Sequence, residues 1–254
     1  MSSVSRLCPG YECGRSDSTW ITPGCPIAAG SRIELGPSAL ITIDTGCQVA
    51  KPCSHVGIDD TGVRAGIIGE IGTSDPLHPR EEKVLRAAAL AQAHTGAAIT
   101  LHLTPPTRNA HATLDILEEA GADLGRVVVG HLDESIDETL DYHRSIADRG
   151  CYLEYDDCGY EMYFPRLANG APHFWLPSDR DRARAVVRLC EAGYADRILL
   201  SHDVCNKTYL LAYGGFGYGH ILRNLVTNIR DFGASEQDID TILRANPQRM
   251  LALG

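Results

Sequence analysis

Four residues combine metal-ligand chemistry with a repeating position: Glu70, His102, His131 and Asp203. Each falls at or near the C-terminal end of a short apolar run: GIIGEIGT (66–73), ITLHL (99–103), VVVGHLD (127–133) and ILLSHD (198–203). A carboxylate in an apolar strand is costly unless it faces a cation, a hydrogen-bond network or a solvated end. Two imidazoles and two carboxylates suit a hard-to-borderline divalent ion, zinc or manganese. The alternative is that each is a satisfied polar residue capping a strand. Four on one rim favour the metal. The spacings are 32, 29 and 72 residues. One strand–helix unit takes roughly 30 residues, so the last gap spans about two units.

The surrounding pattern supplies those units. Strands are expected at 65–72, 97–103, 126–133, 151–157 and 197–203, and helices at 79–96, 109–121, 135–150, 178–193 and 219–233. A final helical stretch, 235–253, is broken at Pro247. Pro79 and Gly96 punctuate the first helix. Ser135 with Glu138 reads as a capping box for the third, and Ser178 caps the fourth. Strand and helix alternation implies a parallel α/β sheet. A parallel sheet puts all four residues at one end, where barrel enzymes hold their active sites. In LSHD, Ser201 and Asp203 share a face and His202 takes the other, so Ser-His-Asp here is no triad. His202 is expected to pack behind the sheet.

Residues 1–56 differ. They are rich in Cys, Gly, Pro, Ser and Thr and hold one expected strand, 39–43. The domain reading is an irregular segment, 1–56, followed by a barrel portion, 57–254. Five units plus this segment are too few for a closed eight-stranded barrel, so the (β/α)8 barrel is expected to be incomplete at its N-terminus. Open strand edges would favour association, a homodimer among the forms it could take.

The chain has 254 residues and a net charge of -10, with no basic stripe, which disfavours nucleic-acid binding. No apolar run reaches a membrane span, and the N-terminus lacks a secretory core. Nine cysteines, an odd number without a C-x-x-C pair, point to free thiols in a cytoplasmic setting. His78, His94, His111 and His143 read as surface residues. Glu134, Glu138 and Asp141 read as a solvated helix face, and Cys158 and Cys205 as small core residues.

GIIGEIGT, ITLHL, VVVGHLDES, YLEYDDCGYE, ILLSHDV, YGGFGYGHIL and NPQRML together resemble the phosphotriesterase-related branch of the amidohydrolase superfamily, over about residues 57–253. The resemblance implies a distorted (β/α)8 barrel with one or two divalent ions, zinc foremost. It puts Glu70 at the metal-bridging position, where most members carry a carbamylated lysine. It makes His102 and His131 the ligands of one ion. Asp203 becomes the ligand of the other and the general base. It also gives EYDDCGYE, with Tyr155 and Tyr160, a part in shaping the pocket. YGGFGYGH, with Gly215 and Tyr218, becomes a substrate-covering loop. From residue type alone these two stretches read as solvated rim and flexible loop.

One departure is large. The family's first strand carries a His-x-His pair for the second ion, and the only histidine before Gly57 is His55. The composition of residues 1–56 fits a frameshifted or misassigned start. The resulting expectation is a metal-dependent hydrolase of a small-molecule lactone, carboxylic ester or phosphoester, holding one ion weakly and turning over little. The alternative is an inactive barrel fragment or small-molecule binding protein on the same scaffold.

Overall fold

A computed structural model describes the backbone of residues 33–35 and 39–41, and residues 65–104, 107–164 and 174–253. His55, Arg166 and His173 lie outside the described residues. Two units are distinguished, Met1–Ala65 and Gly66–Gly254. In the first, β1 (Ile33–Leu35) pairs antiparallel with β2 (Ala39–Ile41).

The second unit is built on five parallel strands: β3 (Ile67–Gly72), β4 (Ala98–His102), β5 (Val127–Val129), β6 (Tyr152–Tyr155) and β9 (Ile198–Leu200). They lie side by side in chain order. A small antiparallel pair, β7 (Tyr163–Phe164) and β8 (Phe174–Trp175), sits between β6 and β9 in sequence but forms its own sheet. Ile99, Leu101, Val127, Val129, Leu153 and Ile198 have no exposed surface, as expected of a sheet covered by helices.

The helices are α1 (Pro79–Thr95), α2 (Ala110–Glu119), α3 (Asp141–Ala147), α4 (Asp179–Glu191), α5 (Val226–Asp231), α6 (Glu236–Asp240) and α7 (Asn246–Leu251). Helix α1 starts where sequence places it, with His78 Nδ1 accepting from the Arg80 amide at 3.1 Å and Glu81 accepting from the His78 amide at 2.8 Å. Ser178 and Asp181 form the same reciprocal cap on α4. Among the described residues no helix is long and apolar enough to cross a membrane.

Two helix expectations are corrected. The stretch 135–150 does not open at a Ser135–Glu138 capping box. Asp137 intervenes: its Oδ1 accepts from the amides of Thr139 and Leu140, at 2.8 and 2.7 Å, and turns the chain before α3 begins at Asp141. Asx turns of this kind compete directly with helix propagation. Ser135 instead donates to the Leu132 carbonyl at 3.0 Å and pairs with His143. Nor does Pro247 break the last stretch. A π turn, Thr241–Ala245, precedes it, and Pro247 occupies the first turn of α7, where its missing N–H costs nothing. The neighbouring Asn246 is fully buried and donates to the carbonyls of Ala195 and Ile198, at 2.8 and 2.7 Å, pinning α7 to the start of β9.

A buried ion pair joins the layers. Arg182 of α4 has no exposed surface. Its guanidinium bonds Asp133, which follows β5, together with Asp179 at 3.1 Å and the Tyr160 carbonyl at 2.9 Å. Removing one partner of such a pair leaves a buried charge. Arg182→Met is therefore expected to lower unfolding free energy by about 3–5 kcal/mol in urea melts, with part of the loss recovered in Arg182→Met/Asp133→Asn.

His143 corrects the surface reading, since it is fully buried between Ser135 Oγ at 2.8 Å and Tyr155 Oη at 3.3 Å. Burial pushes its imidazole down to about 4. The unfolded chain takes up a proton below about 6.5 that the native imidazole refuses until about 4. Its contribution is complete above pH 6.5 and is lost as pH falls from 6.5 towards 4. His143→Gln is expected to flatten that decline by up to about 1.4 kcal/mol per pH unit, read from denaturant melts across the window.

Candidate metal centre

Glu70 reaches the sheet end through a bulge. Ile68 pairs with Ile99 and Ile71 with Leu101, so Gly69 and Glu70 together stand opposite Thr100. The extra residue lets both Ile68 and Ile71 bury while Glu70 turns outward, half-exposed. Gly69 makes this possible. Its φ is +126°, and a β-carbon there would lie 2.7 Å from Thr100 Cγ2.

His102 is the last residue of β4. His131 lies two residues beyond β5, in the left-handed region at φ 53°, and opens the short turn Leu132–Ser135. His131 Nε2 lies 2.8 Å from His102 Nδ1, with the rings edge-on. Glu70 Oε2 lies 3.4 Å from His102 Nδ1, and Oε1 lies 3.6 Å from His131 Nε2. Ligand atoms on tetrahedral zinc stand roughly 3.3 Å apart, so this donor set fits one small divalent ion. Sequence expected these three residues together, and the structure brings them together.

Sequence reading missed what stands behind them. Asp156, just past β6 and 4% exposed, accepts from the His131 amide at 2.9 Å and sets its other oxygen 3.1 Å from His131 Nδ1. A carboxylate on Nδ1 leaves Nε2 as the ligand nitrogen. Asp156 is placed in turn by Asp133 Oδ2, which accepts its amide at 2.8 Å. Gly130 leaves room: a β-carbon there would sit 2.7 Å from the Leu101 carbonyl oxygen and 2.8 Å from Asp156 Oδ2.

The electrostatics favour a cation. Burial opposes charge on His131, yet the Asp156 contact and the charges of Asp156, Glu70 and Asp157 lift its imidazole to about 10. A metal would replace that proton. Burial likewise disfavours Glu70 as an anion, but the His102 hydrogen bond and the two imidazoles outweigh it and hold the carboxylate below its usual range.

The other expected residues divide. Asp203 follows β9 at φ 37°, is exposed, and belongs to none of the groups of ligand atoms within 4.8 Å of one another among the described residues. Its charge acts on Asp157. Tyr155 is corrected: it is fully buried with its hydroxyl on His143, so no ligand can touch it. Asp157 is 3% exposed and not a solvated rim residue. Burial raises Glu134 to about 9, which corrects its assignment to a solvated helix face. Tyr160 packs on Tyr209, ring centroids 4.7 Å apart. Gly215 bonds the Leu210 carbonyl at 3.1 Å, while Tyr218 is 70% exposed. His202 Nε2 accepts the Ile221 amide at 3.1 Å, at the start of the helical stretch that leads into α5. Cys158 is buried as expected, but Cys205 is exposed.

Asp156→Asn is expected to weaken binding at Glu70, His102 and His131 by about 10–100-fold in a competition titration with a chromogenic zinc chelator. Gly130→Ala, which pushes the same carboxylate aside, is expected to shift affinity in the same direction.

Comparisons with known proteins agree with this architecture. The phosphotriesterase family model matches residues 47–251. The N-acetyltaurine hydrolase of Dictyostelium discoideum is 41% identical over 210 residues, covering 81% of this chain and 54% of that protein. The Homo sapiens N-acetyltaurine hydrolase is 43% identical over 198 residues, covering 77% and 55%. Among solved structures, a resiniferatoxin-binding protein from Rhodobacter sphaeroides superposes with a TM-score of 0.72 at 39% identity, covering 78% of this chain and 54% of its own. The phosphotriesterase homology protein from Escherichia coli, with phosphate in its active site, gives 0.65 at 36%, covering 77% and 62%. The chain thus spans about half the length of the curated relatives it matches. With a family model covering most of its residues and relatives above 40% identity, the chain belongs to the phosphotriesterase family.

Proposed function

We propose that this chain carries a metal-dependent hydrolytic site in which Glu70, His102 and His131 hold one divalent ion, zinc before manganese. The observation that supports it most is the convergence of three ligand atoms within 4.8 Å at consecutive strand ends, with Asp156 behind His131. Such an ion supplies Lewis acidity and lowers the pKa of water. Asp203, exposed beyond β9, would take the attacking water's proton. Tyr160 and the 213–220 loop with Gly215 and Tyr218 would shape the substrate side.

For substrate class, the N-acetyltaurine hydrolases among the relatives bring in the amide of an N-acetylated amino sulfonate. It joins the lactone, carboxylic ester and phosphoester classes, since all need a polarised oxygen and an activated water. A second reading, a ligand-binding protein on this scaffold, is favoured by the likeness to the resiniferatoxin-binding protein, at a TM-score of 0.72 and 39% identity.

The test is metal content on purified full-length protein, followed by hydrolysis assays on N-acetyltaurine, a lactone and an aryl ester. One equivalent lost in His102→Ala, together with any hydrolysis, is the expected result. An equivalent held without turnover on any substrate would move the assignment to the binding protein. No difference in metal content between the wild type and His102→Ala would remove the metal centre.

A further inference from the structure

The 207–220 loop closes on itself. The Gly217 amide donates to the Tyr209 carbonyl at 2.8 Å, and the amides of Tyr213 and Gly215 donate to the Leu210 carbonyl at 2.9 and 3.1 Å. Gly215 passes so near Tyr209 that a β-carbon would lie 2.2 Å from its carbonyl carbon. A loop closed by its own backbone can leave its seat as one body. Leu211, Tyr213 and Tyr218 on its outer side are 62%, 62% and 70% exposed, so burial there does not hold it down.

Its inner side meets one short turn, the turn that follows Asp156 and Asp157. Tyr209 packs on Tyr160. Phe216 and His220 lie over Gly159, where a β-carbon would come 2.8 Å from Phe216 Cγ and 2.9 Å from His220 Cδ2. His220 Nε2 lies 2.5 Å from Asp179 Oδ2. The other Asp179 oxygen accepts from the Gly159 amide at 2.9 Å and from Arg182 at 3.1 Å. One carboxylate thus joins loop, turn and α4. Asn224 Nδ2 donates to His220 Nδ1 at 2.9 Å, which leaves the ring hydrogen on Nε2, facing the carboxylate. Burial opposes charge on Asp179, but the bonds from His220 and the Gly159 amide and the charge of Arg182 hold it below the usual carboxylate range. The His220 bond is therefore charge-assisted, the strong kind.

We propose that His220 and Asp179 form a latch that positions the 207–220 loop against the turn after β6, so that the substrate side and the carboxylate orienting His131 are held in one register. The helical stretch beyond the loop has its own anchor, since His202 Nε2 accepts the Ile221 amide at 3.1 Å. Releasing the latch frees the loop without unwinding that stretch. Neither latch residue belongs to the groups of converging metal-ligand atoms among the described residues. The latch does not depend on turnover; its effect on substrate rests on the hydrolytic reading.

The experiment is hydrogen–deuterium exchange by mass spectrometry on the full-length protein. His220→Ala is expected to raise exchange across 205–219 by about tenfold or more, with β4 and α1 unchanged. His220→Gln, which keeps an N–H donor, should recover most of the protection. Asp179→Asn should match His220→Ala, and the double variant should add little to either. Circular dichroism identifies any variant that fails to fold, and the others then decide. Unchanged loop exchange in His220→Ala, or faster exchange throughout 66–254, refutes the latch. Equal loosening in His220→Gln and His220→Ala also refutes it, because ring packing alone would then hold the loop. On a substrate that the wild type hydrolyses, His220→Ala should raise KM by about threefold or more and leave kcat intact. A loss of kcat at constant KM overturns the positioning role. A wild type that hydrolyses nothing removes the hydrolytic reading and the substrate role with it, while the exchange result still decides the latch.

Discussion

The Arg182 guanidinium, sealed from solvent, organises the sheet end. It holds Asp133, whose second oxygen fixes the Asp156 amide, and Asp156 in turn orients the His131 ring. Each link is a charged or strongly polar group taken out of water, so each is costly alone and stable only in company. The same guanidinium accepts a load from the other side by binding Asp179, whose second oxygen meets His220 Nε2 at 2.5 Å. Helix α4 is thereby tied both to the metal-facing imidazole and to the residue that closes the 213–220 loop. A disturbance of α4 would be felt at both.

The fold was largely legible because its grammar is local. Apolar runs of four to eight residues, stops at glycine and capping serines mark the five strands and most helices directly. Where reading failed, a side chain made a choice that spacing does not record. Asp137 captured two amides and delayed α3 by a turn. A π turn let Pro247 continue the last helical stretch.

The centre was legible for a different reason. Glu70, His102 and His131 recur at one place in successive units, and recurrence survives in one dimension. Their supports do not recur. EYDD and DES look like solvated acid runs, because burial of a charge is decided by what folds over it. Asp156 and Asp157 are interior residues, and Asp133 beside them is bonded by the sealed Arg182 of α4. Tyr155 failed in the opposite sense: it lies beside the acidic pair in sequence, but its side chain runs to His143 and α3.

Asn246 carries a consequence for the chemical ageing of the protein. Its amide nitrogen bridges two carbonyls at the base of β9, so conversion to aspartate would place an acceptor against acceptors in a fully buried site. Asparagine ordinarily deamidates through attack by the next residue's backbone nitrogen, which must carry a hydrogen. Here that residue is Pro247, which has none. The proline that the last helix has to accommodate also blocks the usual route by which its anchoring side chain would decay.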